Sequence, residues 1–88
     1  MKLNPLLRLW EVGDEYMIVN NSKENVNLSN VFNLNETAAY LWKKVSDKDF
    51  TKGDLVEYLL EEYDVDRDTA ERDIEIMLEE WKNNNFII

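Results

Sequence analysis

The chain has 88 residues, a length that predicts one domain spanning 1–88 with a modest core. At 44% hydrophobic and 11% aromatic, its composition is that of a folded chain and not a disordered one. It has no Cys, no His and a net charge of −9. These exclude disulfides, thiolate nucleophiles, zinc-finger ligand sets and the usual near-neutral general base, and they oppose binding to nucleic acid, which needs basic surface.

The first third reads as β. Leu7 to Val12 is short and apolar-rich, Gly13-Asp14 is a turn signal, and Glu15 to Asn20 is rich in β-formers, so the two runs predict a hairpin. Asn20 to Lys23 predicts the next turn. Val26 to Leu34 then alternates. Val26, Leu28, Phe32 and Leu34 share one parity, which Asn30 interrupts, and Asn27, Ser29, Val31 and Asn33 share the other. Period two with one apolar face predicts a half-buried strand. It comes last in the run, which suits a sheet edge, and its Asn and Ser residues discourage edge aggregation.

The rest reads as helix. Asn35 is a natural N-cap with Glu36 in the first turn, and Ala38, Leu41, Trp42 and Val45 form an amphipathic stripe. Ser46 to Asp49 breaks it. Thr51 and Asp54 are spaced as a capping box, with Phe50 and Leu55 as its hydrophobic staple. Leu55, Val56, Leu59, Leu60 and Tyr63 build the second apolar face. Asp66 caps a third helix, with Val65 and Ala70 as its staple. Ala70, Ile74, Met77, Leu78 and Trp81 form its inner stripe, and Asn83 to Asn85 ends it. Phe86 to Ile88 is an apolar tail expected to pack back on the sheet or core. Strands followed by helices predict an α+β fold, three antiparallel strands with three helices on one face.

Little here points to catalysis. Glu61-Glu62, Glu79-Glu80 and the alternating Asp64, Asp66 and Asp68 are the paired carboxylates. The last set opens like a calcium-binding EF-hand loop, but the required Gly is missing and a helix starts there. There is no phosphate-cradling Gly loop, nucleophile elbow or zinc set, so no catalytic residue, metal or cofactor is expected and the chain does not read as an enzyme. Trp42 and Trp81 sit on apolar stripes and read as core. Arg72 is placed for a surface ion pair. No apolar run reaches membrane-span length and Met1 to Arg8 lacks a signal-like apolar stretch, so a cytoplasmic location is expected. The acidic surface reads as a solvated face, with steering toward a basic partner as the functional alternative.

Leu34-Asn35-Glu36-Thr37-Ala38-Ala39 followed by Leu41-Trp42 resembles the hallmark of the pyrroloquinoline quinone biosynthesis protein D (PqqD) family. The order of the later pieces agrees: Thr51 with Leu55-Val56, Leu60 to Val65, Ala70 to Ile74 with Leu78, and Phe86-Ile87. The likeness runs from about Arg8 to Ile88. Where the family pattern often has Gly, after the first helix and before the final apolar residues, this chain has Asp and Lys residues around Asp47, and Asn85.

The resemblance implies a winged helix-turn-helix-like fold and a non-catalytic recognition element for ribosomally made, modified peptides. The leader segment of a precursor peptide would add as a strand to the third β-strand and lie in the groove toward the third helix. The domain would then present it to a modifying enzyme such as a radical S-adenosylmethionine enzyme, a cyclase or a protease. Carried onto this sequence, the strand edge falls at Asn30, Val31, Phe32 and Asn33. On the third helix, Ile76 and Met77 suit an apolar groove floor rimmed by Asp73 and Glu80. Met77 fits the core better than the groove, and Ile76 fits the core's edge and the groove equally. Two other readings stay open: a winged-helix regulator of transcription, which the charge opposes, and a small assembly protein whose edge strand pairs with another copy. A monomer or weak homodimer is expected, with no membrane partner.

Overall fold

The computed structural model describes residues 1–20 and 31–88, with the backbone alone at 20 and 31. The elements are β1 (Leu7–Val12), β2 (Glu15–Asn20), β3 (Val31–Leu34), α1 (Glu36–Val45), α2 (Lys52–Glu62) and α3 (Arg67–Asn83). The expected turn at 20–23 and the expected start of the third strand at 26–30 lie outside the described residues, apart from the backbone of Asn20.

The strands form an antiparallel sheet in the order β1-β2-β3, which leaves β1 and β3 as its edges among the described residues. Gly13 takes φ +62, the left-handed conformation that the first central position of a tight hairpin turn requires. Val12 and Glu15 pair across that turn. The closing pair of a two-residue hairpin exchanges both backbone hydrogen bonds, and the pattern alternates from there. Arg8, Trp10 and Val12 therefore bond to β2, while Leu7, Leu9 and Glu11 turn their backbone groups to the outer edge. On the other side Tyr16 and Ile18 meet Leu34 and Phe32. This phase leaves the backbone N–H and C=O of Val31 and Asn33 directed away from the sheet.

Leu9, Ile18 and Phe32 lie opposite one another on the face that meets the helices, and Ile18 is fully buried. Each helix starts where the sequence supplies a cap. The Asn35 carboxamide oxygen accepts from the Ala38 N–H at 2.8 Å. Thr51 and Asp54 form a reciprocal capping box at 3.0 and 3.1 Å, flanked by buried Phe50 and Leu55. The Asp66 carboxylate accepts from the Thr69 N–H at 2.7 Å. Asp47 and Asn85, at the two places where the family pattern often has Gly, adopt φ +62 and +60. Asp and Asn are the non-Gly residues that enter this region at least cost.

The core runs from Ile18 through the inner faces of the three helices to Phe86. Its centre is a chain of edge-to-face aromatic contacts. Trp42 meets Trp81 at 5.2 Å and Phe86 at 5.5 Å, and Phe86 meets Phe32 at 5.1 Å. Phe86 thus links β3 to α1, and Trp42 carries the link to α3. The N-terminal segment holds the tail in place. Leu3 pairs with Ile87, the Asn4 N–H donates to the Phe86 carbonyl at 2.7 Å, and the Ile88 N–H donates to the Lys2 carbonyl at 2.9 Å.

Two expectations need correction. The tail packs back through Phe86 and partly through Ile87, but the Ile88 side chain is 69% exposed, because its backbone is anchored while its side chain points off the core. Among the described residues, the arginine that forms an ion pair is Arg67, to Glu57 at 2.9 Å, and not Arg72. Arg67 opens α3 and faces α2 across the connection, which Arg72 does not.

Candidate functional site

A groove of about 530 Å³ runs between β3 and α3. Phe32 and Asn33 reach it from the strand, and Asp73, Ile76, Met77 and Glu80 from the helix. Six of the eight residues expected at the site are therefore brought together. Asn30 lies outside the described residues. Val31 enters through its backbone, paired with Val19 at the start of β3.

Local sequence explains this placement. Phe32 is held by its ring contact with Phe86, which fixes the height of the strand over the core. The Asn35 cap ends β3 and starts α1, so the β3 edge stops at the groove. On α3, the buried stripe of Ala70, Ile74, Leu78 and Trp81 fixes the helix's rotation. That rotation sets Met77 at the margin of the core and brings Asp73, Ile76 and Glu80 to the surface.

Two details differ from the sequence reading. Ile76 is 59% exposed, so it forms a lip and not a floor. The floor comes from buried side chains already assigned to the core, Leu41, Ile74, Trp81 and Phe86, with Met77 beside them. In addition, the phase of the sheet divides the edge residues by role. Val31 and Asn33 present outward backbone groups, whereas those of Phe32 face β2, so Phe32 contributes its side chain alone. Not all residues of the edge can supply the hydrogen-bonding row, because backbone directions alternate along a strand.

The sequence reading also missed lining residues. Asn35 and Thr37 come from the start of α1, Tyr63 and Val65 from the link between α2 and α3, and Asn84 from the end of α3. Their cap and staple positions are the signal that would have placed them at element ends, where a groove between elements opens.

Asp73 and Glu80 are the charged residues among the lining residues described, and neither belongs to an ion pair among the described residues. Seven residues apart, they stand about 10.5 Å from each other along the helix axis, with Ile76 between them. Asp66, one of the alternating aspartates, is committed elsewhere. The Thr69 backbone N–H that it caps holds its carboxyl below the ordinary range.

Chemically, the site offers two things side by side: outward backbone donors and acceptors on a strand edge, and an apolar trough with polar margins. The sheet and helices define the class, a winged helix-turn-helix-like domain with a strand edge opening onto a groove.

The chain belongs to the family of coenzyme PQQ synthesis protein D (PqqD), whose model matches residues 15–87. Two solved structures share its fold. One is TbiB1 in complex with the TbiA(beta) leader peptide, at TM-score 0.76 and 22% identity, covering 99% of this chain and 94% of that one. The other is lasso peptide synthetase B1 complexed with the leader peptide, at TM-score 0.73 and 24% identity, covering 99% of this chain and 95% of that one. No curated protein matches the chain significantly in sequence.

Proposed function

We propose that this chain is a non-catalytic module that binds the leader segment of a ribosomally made precursor peptide and presents it to a modifying enzyme. The leader adds as a strand along β3, taking hydrogen bonds from the backbone of Val31 and Asn33. Its inward side chains enter the groove against Phe32, Met77 and Ile76. The observation that carries this reading is the outer edge of β3, which no described strand pairs with, lying beside the apolar groove. Membership of the PqqD family supports it, and so do the leader peptides bound to both proteins of the same fold.

Strand addition draws affinity from main-chain hydrogen bonds and specificity from alternate side-chain pockets. Each bond contributes about 0.5–1.5 kcal/mol net. Val31 and Asn33 each offer a donor and an acceptor. Together with one or two apolar anchors, and against the cost of ordering the peptide, they give an affinity near micromolar, about −8 kcal/mol. The modifying enzyme is taken to be a radical S-adenosylmethionine enzyme, a cyclase or a protease. The working location is taken as the cytoplasm, and among the described residues no helix is long and apolar enough to cross a membrane.

Titration of the isotope-labelled chain with leader peptides encoded beside its gene tests the reading. The amide shifts should concentrate at Val31 to Asn33 and on α3 between Asp73 and Glu80. Shifts centred on β1 or on the outer sheet face around Trp10 would overturn the site. Failure of every such leader to bind would overturn the function.

A further inference from the structure

The groove also specifies the chemistry of its occupant, an inference that rests on the strand-addition reading above. We propose that it takes a peptide strand bearing a Lys or Arg directed toward α3, with apolar side chains two positions away entering the floor. Residues two apart on a strand share a face, so one face of the peptide would carry both the anchors and the cation.

The argument starts from where the charges lie. The charged lining residues described are Asp73 and Glu80, both acidic, and neither has a cationic partner among the described residues. The basic side chains that line a cleft among the described residues do so elsewhere. A second cleft of about 800 Å³, between the N-terminal segment, β1 and α1, is lined by Lys2, Arg8, Lys43 and Lys48, with Asp47 as its acid. The lining charges of the two clefts differ in kind, mostly basic in the second, where Lys2 and Lys43 pair with Asp49 and Glu11, and acidic in the first.

An acidic strand in the β3 groove would meet two carboxylates with no lining base described to offset them. A neutral strand would bring its apolar anchors close to both without compensating either. A Lys or Arg suits the margin in both its parts. Its methylene stem covers the exposed Ile76 side chain, and its head reaches the carboxylates on either side. Two acids about 10.5 Å apart along the helix keep a cation between them within about one Debye length of both at physiological salt. Both carboxylates are at the surface, so the charge sharpens selection more than it raises affinity.

The test is a selection of displayed random peptides, long enough to span the groove, against the full chain and against two variants. One is D73N/E80Q, which keeps shape and removes charge, and the other is Asn33→Pro, which removes an outward N–H. The wild-type pool should be rich in Lys or Arg flanked at alternate positions by apolar residues, and the D73N/E80Q pool should lose that bias. For one enriched peptide, the Kd should rise about three- to ten-fold either on D73N/E80Q or on Lys→Gln in the peptide, with no further rise when both are combined. A wild-type pool without basic bias, or the same bias in both pools, overturns the charge proposal and leaves strand addition standing. No enrichment, or enrichment undiminished by Asn33→Pro, overturns the strand-addition reading itself.

Discussion

The two edges of the sheet make an instructive pair. Both lie beside a cleft, but their outward backbone groups meet different surroundings. At β1, Leu7 should present outward backbone groups, and both are taken. Its N–H donates to the Asn4 carbonyl at 3.1 Å, and its carbonyl accepts from the Arg8 guanidinium at 3.0 Å, which also holds the Pro5 carbonyl at 2.7 Å. At the far end of β1, the Glu11 carboxylate is drawn to Lys43 at 3.3 Å. Charged side chains and a covering segment are the usual means of closing an edge. At β3, the corresponding groups belong to Val31 and Asn33, and no described strand pairs with their side of the sheet. The difference does not come from strand propensity. It comes from what precedes and follows the strands: a turn whose Asn4 carbonyl and Arg8 side chain close on Leu7 at the start of β1, and an Asn cap that turns the chain away from β3.

That contrast can be broken most severely at Phe86. Its ring holds Phe32 of β3 against Trp42, so Phe86→Ala should destabilise the protein by about 3–5 kcal/mol, the range for a buried aromatic. Denaturant unfolding would show it as a lower midpoint, and peptide binding should fail as β3 loses its support. A stability loss of less than about 1 kcal/mol would mean that the aromatic chain does not position the edge.

A finer test puts the same change on each edge. Asn33→Pro removes an outward N–H of β3 without cutting the ladder to β2, because Pro is tolerated where the N–H faces away from the sheet. Leader affinity should fall about tenfold, roughly 1.4 kcal/mol, with little loss of stability. Glu11→Pro, at an outward position of β1, should leave leader affinity unchanged. Equal losses in calorimetric titrations of the two variants would erase the distinction between the edges.

Arg8→Ala releases the Leu7 and Pro5 carbonyls. The expected cost is about 1 kcal/mol of stability, with no change in leader affinity at β3. Light scattering across a concentration series should reveal whether uncovering β1 promotes self-pairing, as the account of edge closure expects. The smallest effect concerns α3, the wall of the groove. The folded-state carboxyl of Asp66 titrates below its ordinary value, so the unfolded chain takes up that proton first as pH falls. Its capping contribution is therefore complete above the ordinary carboxylate range and is lost as pH drops through the lower folded value. Asp66→Asn should flatten that part of the acid-unfolding profile, and an unchanged profile would contradict the assignment.

Much of this was legible in the sequence because the signals were local. Asn35, Thr51 with Asp54, and Asp66 each name a helix start through one side chain and one nearby N–H. Gly13-Asp14 fixed the hairpin, and the stripe from Ala70 to Trp81 fixed the rotation of α3 and hence the outward places of Asp73, Ile76 and Glu80. What escaped was non-local. Nothing in Met1 to Asn4 announces that it will run beside Ile87, since a single bridge between the chain's two ends leaves no period to read. The groove floor was missed because Leu41, Trp81 and Phe86 look like core, and they are core, with one margin opening to the groove. The alternate roles of Val31, Phe32 and Asn33 follow from the phase of the first hairpin, which a reading of β3 alone does not include.

The central claim is that a leader strand adds to β3 through Val31 and Asn33. Residue-resolved amide hydrogen exchange, with and without a bound leader peptide, tests it most directly. The account predicts new protection at the amides of Val31 and Asn33, with the Phe32 amide, already bonded to β2, unchanged, and no gain at Leu9 or Glu11 of β1. Protection appearing on β1, or binding that leaves Val31 and Asn33 as exchangeable as before, would contradict it.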